Sequence, residues 1–334
     1  MRPGKLKPPA TGIKTMHVRC YSIVLLLLSI LLTGTARVES AHKPAFVPTS
    51  YQLYYGSEPR LLKQLRDRIR PGQVIVIELR GLQPDQVADL VKAAHQKQAK
   101  VIAYLSIGEL GQLEKANFEK YLKRSPNGYP LSEIVFGKNQ TFESWYVDVS
   151  YGEWRGFLME RIKRMYAQKI DGLFLDTVDT ADLYLNRKEW SIPRRAKSVT
   201  AMIGLIRDIK RFDPEKFIMQ NRGLNLIGKT AIVGDKSQMV VLALDLAHKH
   251  PGNPDGLLWE SAFAHSGDWI ESKEREMIRI QKNGFTTVFT LGYSDTSVSA
   301  DTFFRKSKAD GFIPGWASST TKLHLELTQQ PPGK

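Results

Sequence analysis

The chain is predicted to fold as a single (β/α)8 TIM barrel, an α/β architecture, and three observations carry that prediction. Short apolar runs recur eight times along the sequence, with longer amphipathic stretches between them. Apolar runs of that length fit strands buried on both faces, and strands alternating with helices fit a parallel sheet wrapped by helices. Carboxylates, amides and aromatics also gather at the C-terminal ends of the runs, the end where barrels carry their chemistry.

The candidate strands, in order, are Tyr51–Tyr55, Val74–Leu79, Val101–Leu105, Trp145–Val149, Leu173–Asp176, Phe217–Gln220, Leu257–Glu260 and Thr287–Leu291. The helical patterns between them are Pro59–Arg70, Pro84–Gln98, Leu113–Arg124, Glu153–Gln168, Ala196–Phe212, Trp269–Asn283 and Ser299–Ala309. Pro84 suits a helix start, and Gly284 suits the stop after Asn283. The rival architecture, an open doubly wound sheet, would need a glycine-rich first turn that this sequence does not have. Met239–Leu246 reads equally as a strand or a buried helix, because a short apolar run has no decisive period. Two longer inserts, Ser125–Ser144 and Tyr184–Arg195, follow the third and fifth candidate strands, and no internal repeat is read.

Residues 1–40 are read as a secretory signal: Lys5, Lys7, Lys14 and Arg19 precede the apolar block Tyr21–Leu32, and small residues follow. That block is about 12 residues, short of the roughly 20 a spanning helix needs. The expected organisation is a signal over 1–40, a linker over 41–50, the barrel over 51–315 and a poorly ordered tail over 316–334. The expected location is exported, periplasmic or extracellular, with no stable membrane span after cleavage. Cys20, the lone cysteine, lies before the apolar block. The mature chain would therefore hold neither disulfides nor thiolate metal sites, and must be stabilised by its core.

The formal charge is +14. Removing six basic residues (Arg2, Lys5, Lys7, Lys14, Arg19, Arg37) and Glu39 leaves +9 on the mature chain. Most of this excess lies on helical faces such as Arg161, Lys163 and Arg164, which read as solvated. Aromatics do not interleave with the basic residues as in single-strand binders, so no nucleic-acid partner is expected.

The candidate functional residues come from the strand ends. The first ends Tyr54-Tyr55-Gly56, of which Tyr54 is the candidate; Tyr104 stands near the end of the third with Glu109 just beyond, and Asp148 near the end of the fourth. Asp176 and Asp179 follow at the fifth, Gln220 and Asn221 at the sixth, Glu260 at the seventh and Tyr293 at the eighth. Such a rim supplies what a carbohydrate needs: hydrogen bonds to hydroxyls, rings to stack on, and two carboxyls for the glycosidic bond. Simpler readings stand beside these. Asp171, before a glycine, reads as a turn residue, Asp179 and Glu109 read equally as helix caps, Asp148 reads alternatively as the partner of a strand-end Arg or a backbone amide, and Trp259 reads as core.

The blocks Tyr104-Leu-Ser-Ile-Gly-Glu109, Trp145-Tyr-Val-Asp148, Asp171-Gly-Leu-Phe-Leu-Asp176-Thr-Val-Asp179 and Trp259-Glu260-Ser261 resemble glycoside hydrolase family 114. Its members are endo-α-1,4-polygalactosaminidases, also found as the hydrolase part of biofilm-polysaccharide proteins. The resemblance runs from about Ser50 to Phe312. It implies cleavage of internal α-1,4 bonds in a galactosamine/N-acetylgalactosamine polymer, with the catalytic pair mapping onto Asp176 and Glu260. The remaining rim residues would bind substrate. Retention of configuration is expected, the role of each carboxylate is open, and Asp245 is the fallback for Glu260. The expected partners are the polysaccharide and, through the biofilm members, polysaccharide export machinery. A carbohydrate-binding barrel without turnover is the competing reading; it would need the aromatics and amides but not the acid pair.

Gly223-Leu-Asn-Leu-Ile-Gly228-Lys229-Thr230 matches a phosphate-binding loop letter for letter. It is set aside because Gly234-Asp235 interrupts the helix that such a loop must open. His248, His250 and His265 lack metal-ligand spacing, so neither metal nor cofactor is expected.

Overall fold

The computed structural model of the chain describes residues 46–331 except 228, 234–237 and 243, with side chains described outside 228–243. The predicted signal over 1–40 lies outside the described residues. Eight strands pair in parallel in a single sheet: β1 (Ser50–Tyr54), β2 (Gln73–Ile77), β3 (Lys100–Ser106), β7 (Gly172–Asp176), β8 (Phe217–Asn221), β11 (Gly256–Glu260), β12 (Thr287–Tyr293) and β13 (Ile313–Ala317). The last strand lies against the first without a hydrogen-bonded ladder, so the sheet is a nearly closed barrel. Val74, Ile75, Val76 and Ile77 of β2 are all fully buried, as a strand covered on both faces requires.

The strand count was right, but two assignments were not. Ser144–Val147 (β6) is not a barrel strand. It is the centre of a small antiparallel sheet with β4 (Glu109–Gly111) and β5 (Val135–Asn139), inserted after β3. The missing strand is β13, where Pro314 and Gly315 weaken the apolar signal. Asp176 therefore ends the fourth barrel strand and Glu260 the sixth. Residues expected to form a loose tail pack onto the barrel seam. Thr328 Oγ1 accepts from the Leu53 amide at 3.0 Å, and the Tyr55 amide donates to Leu323 O at 2.9 Å.

The Met239–Leu246 ambiguity ends in a hairpin. Lys229–Val233 (β9) pairs antiparallel with Gln238–Leu242 (β10) and contacts the helix Ile192–Phe212. This hairpin takes the outer-layer position between β8 and β11 that a helix would ordinarily fill. The other connections are helical at the predicted places, including Pro59–Asp67, whose N-cap Glu58 accepts from the Arg60 and Leu61 amides at 3.0 and 2.9 Å.

One device aligns β7 and β11. Both open on Asp-Gly-Leu and end on an acid: Asp171-Gly-Leu-Phe-Leu-Asp176 and Asp255-Gly-Leu-Leu-Trp-Glu260. At the bottom of the barrel Asp171 Oδ2 accepts from the Val101 amide, and Asp255 Oδ2 from the Ile218 amide, each at 2.8 Å. Each aspartate thus locks its strand's register to the preceding one, so the acid four residues after the glycine emerges on the opposite rim. Lys210 clamps the second lock, donating to Asp255 Oδ2 at 2.8 Å. At Gly172 an added Cβ would lie 1.8 Å from Phe217 O, so β7 and β8 approach more closely than a side chain allows.

Candidate active site

Asp176 and Glu260 meet across the mouth of the barrel. Asn221, at the end of β8 between their strands, donates through one Nδ2 to Asp176 Oδ1 at 2.8 Å and to Glu260 Oε2 at 3.0 Å. Two oxygens on a shared nitrogen can be no farther apart than the sum of these, 5.8 Å. Each carboxylate also takes a tyrosine hydroxyl. Tyr104 donates to Asp176 Oδ2 at 2.7 Å, and Tyr293 donates to Glu260 Oε1 at 2.5 Å. Burial and the neighbouring Glu260 charge push Asp176 above the usual carboxylate range, against the hydrogen bonds from Tyr104 and Asn221.

The backbone turns sharply just beyond each of the three residues. Thr177, Arg222 and Ser261 follow Asp176, Asn221 and Glu260 and have φ of 60°, 54° and 55°. Left-handed backbone is costly for any side chain and most of all for a β-branched threonine. Local hydrogen bonds over-determine it: Thr177 Oγ1 accepts from the Gly108 amide at 2.8 Å, and the Arg222 amide donates to Leu258 O at 2.9 Å. The strands therefore end abruptly and leave their last side chains facing the mouth.

Arg222 faces Glu260 (Nε to Oε2 2.9 Å) and Asp179 (Nη1 to Oδ2 3.3 Å). Burial opposes its charge, but the two acids more than offset this and raise its pKa. Asp179 occupies the N-cap position of the helix Thr180–Asn186, yet its carboxylate makes no cap bond and turns to Arg222 instead. Burial raises the Asp179 carboxyl, with Arg222 opposing. Glu109, on β4, accepts from Ser144 Oγ and from Asn139 Nδ2. Burial raises its carboxyl, and Asp176 adds to that rise, which places the two acids in the same field.

Several predicted rim residues sit elsewhere. Asp148 is 1% exposed, and its carboxylate is taken by Ser198 Oγ at 2.8 Å, the Ser150 amide at 3.1 Å and Arg194 at 3.4 Å. It ties the insert to the helix Ile192–Phe212 and does not join the cluster. Tyr54 is fully buried with its hydroxyl accepting from the Glu58 amide; its neighbour Tyr55 is the one near the pair, its ring 5.2 Å from that of Tyr104. Gln220 is fully buried beneath the site and donates to Arg222 O at 2.9 Å, steadying the turn there. The fallback Asp245 is an exposed residue paired with His248 at 2.7 Å, away from the pair. Asp171 and Trp259 take the structural roles their simpler readings gave, in the strand lock and the core.

Tyr55 was passed over for its neighbour, and Arg222 was missed. A one-residue strand register hid the first. For the second, a basic residue directly after a strand-end Asn was the available signal. The repeated Asp-Gly-Leu-x-x-acid pattern was likewise unread, and it fixes the position of Glu260 without any relative. The phosphate-loop match Gly223–Thr230 holds a 3-10 turn, Leu224–Leu226, and runs into β9, so among the described residues no helix begins there to hold a phosphate.

Among solved structures, the chain is similar to the glycoside hydrolase domain of PelA from Pseudomonas aeruginosa, with 19% identity and a TM-score of 0.55 over 85% of this chain and 98% of that one. It is also similar to Ega3 from Aspergillus fumigatus in complex with galactosamine, with 13% identity and a TM-score of 0.48 over 82% of this chain and 91% of that one. The first likeness supports the fold. A search of the curated proteins gave no match. The model of glycoside-hydrolase family GH114 matches residues 35–241, which takes in Asp176 and Asn221 and stops before Glu260. The chain belongs to glycoside-hydrolase family GH114 and is a glycoside hydrolase.

Proposed function

We propose that the protein is an exported endo-acting hydrolase of internal α-1,4 bonds in a galactosamine/N-acetylgalactosamine polysaccharide, with Asp176 and Glu260 as its catalytic pair and retention of configuration. The observation that carries the pair is the single Asn221 amide held between two carboxylates at 2.8 and 3.0 Å. The 5.8 Å ceiling it sets favours retention, because inverting enzymes separate their carboxyls by roughly 6.5–9.5 Å to admit a water and retaining enzymes by about 5–5.5 Å.

In this mechanism one carboxylate attacks the anomeric carbon while the other, as the acid, gives its proton to the leaving glycosidic oxygen. The second group, now a base, takes a proton from water, which displaces the enzyme carboxylate and restores the starting state. Asn221, Tyr104 and Tyr293 position the pair. Tyr55, Glu109 and Asp179 lie where the sugar would bind. The polymer is supported by family membership and by the acids that line the mouth, which offset an otherwise basic protein. Export is supported by the segment 1–40; among the described residues no helix is long and apolar enough to cross a membrane. Association with polysaccharide export machinery rests on the family resemblance alone.

The test is reducing-end release from α-1,4-galactosaminogalactan by wild type, Asp176→Asn and Glu260→Gln, with NMR of the first-formed anomer. Cleavage by wild type only, with an α product, supports pair and mechanism together. A folded wild type inert on acetylated and deacetylated polymer alike would remove the substrate, and a β product would remove retention. Azide rescue of Asp176→Gly and Glu260→Gly then separates the roles, since azide replacing the nucleophile yields the opposite anomer.

A further inference from the structure

The floor of the barrel, where the strands begin, lies opposite the acidic mouth and is basic. Arg68 and Arg70 stand before β2, Lys97 before β3, Lys169 before β7, Lys282 before β12 and Lys308 before β13; all six are exposed, and among the described residues none is ion-paired. The acids at this end are fewer. Asp67 pairs with Lys63 at 2.6 Å, and Asp171 and Asp255 hold the strand locks, which leaves Asp213, Glu215 and Asp310 outside an ion pair among the described residues. Apolar groups share the floor: Val47 before β1, Phe212 before β8 and Phe285 before β12 are 71%, 41% and 51% exposed. Phe212 stacks on Tyr166 at 6.2 Å, and Lys216 Nζ stands 5.1 Å from the same ring, so apolar and basic groups meet in one patch there. The helix dipole favours a basic residue in the last turn of a helix. Arg70 and Lys169, however, lie beyond the ends of their helices at Asp67 and Tyr166, and the dipole gives no reason for exposed apolar side chains.

We propose that this floor docks on an anionic lipid surface, with the mouth facing away from the bilayer. Lysine and arginine near such a surface are drawn to its headgroups, and phenylalanine and valine enter the headgroup boundary. A purely acidic polymer would pair the cations and leave Val47, Phe212 and Phe285 uncovered. The connectivity points the same way. The described chain starts at Phe46, and the Thr49 amide donates to Gly72 O at 2.9 Å at the foot of β2. Residues 1–45, with the apolar block Tyr21–Leu32, therefore join the barrel at its floor and not at its mouth. The proposal goes beyond the hydrolase reading and does not depend on which polymer is cut.

The test is hydrogen exchange of the full chain alone, with phosphatidylcholine vesicles, and with vesicles of phosphatidylcholine and phosphatidylglycerol in equal parts. Wild type is compared with Arg70→Glu/Lys97→Glu/Lys169→Glu, which carries the same residues 1–45. The mixed vesicles are expected to slow the amides of floor loops 68–72, 97–99 and 282–286, while the mouth turns at Thr177, Arg222 and Ser261 keep their rates. Each cation near an anionic surface contributes roughly fivefold in affinity, so the triple variant should hold the lipid through its floor about 100-fold more weakly and lose the protection. Floor loops indifferent to the mixed vesicles, equal protection by neutral vesicles, equal protection at the mouth, or full protection in the triple variant would each overturn the proposal. The same protection by soluble polyglutamate would also overturn it, and would assign the floor to an acidic peptide. If the triple variant does not fold, Lys282→Glu/Lys308→Glu takes its place, with an expected weakening of about 30-fold.

Discussion

Replacing Asp176 by Asn should abolish cleavage and at the same time stabilise the protein at neutral pH, because the site holds two carboxylates closer than stability alone would favour. Asp176 and Glu260 lie within 5.8 Å through Asn221. Two unit charges at that distance repel by about 3 kcal/mol at an effective dielectric of 20. Arg222, 2.9 Å from Glu260, takes back part of this, and an amide at position 176 leaves one of its two donors facing another donor. The net gain is then on the order of 1 kcal/mol, about 2–4 °C in Tm for a domain of this size.

The pH dependence gives a firmer sign than the magnitude. The folded Asp176 carboxyl is raised above its unfolded value of 3.8 by burial and by Glu260. Between those two values the native state binds more protons than the unfolded state, so wild-type stability falls as pH rises through the window. The asparagine variant does not titrate there. Thermal melts of both proteins over a pH series should show a gap that is small or absent in acid and opens in favour of the variant as pH rises, then levels off. A gap independent of pH, or one that closes with rising pH, would refute the view that this acid is held against its ionisation.

Tyr104→Phe and Tyr293→Phe should each lower kcat/KM by about 10- to 100-fold, the loss of one hydrogen bond to a charged carboxylate, with little change in Tm; steady-state kinetics check this. Gly172→Ala should destabilise the fold by about 1–3 kcal/mol, since a Cβ 1.8 Å from Phe217 O must push β7 from β8; urea unfolding measures it. Asp148→Ala should cost about 1–3 kcal/mol by stranding Ser198 and Arg194 while leaving KM unaltered, and a raised KM with unchanged stability would return Asp148 to the sugar site.

The sequence by itself determined the barrel, its helices and the two strand-end acids that meet across its mouth, because those features are local. Parallel strands buried on both faces must be apolar runs, and an acid at the end of such a run has few structural uses. What depends on pairing or on a one-residue register was not legible. Ser144–Val147 has the composition of a barrel strand, and only its antiparallel partners, β4 and β5, show it lies outside. Whether Asp148 is a rim acid or the partner of an arginine is open in the sequence, and Arg194 and Ser198, some fifty residues later, decide it. Tyr54 and Tyr55 are adjacent and chemically alike, so which one faces the mouth is set by the strand's orientation in the barrel. The approach of Asn221 to both acids, and of Arg222 to Glu260 and Asp179, joins residues from β7, β8 and β11, and only barrel closure brings those strand ends within hydrogen-bonding distance.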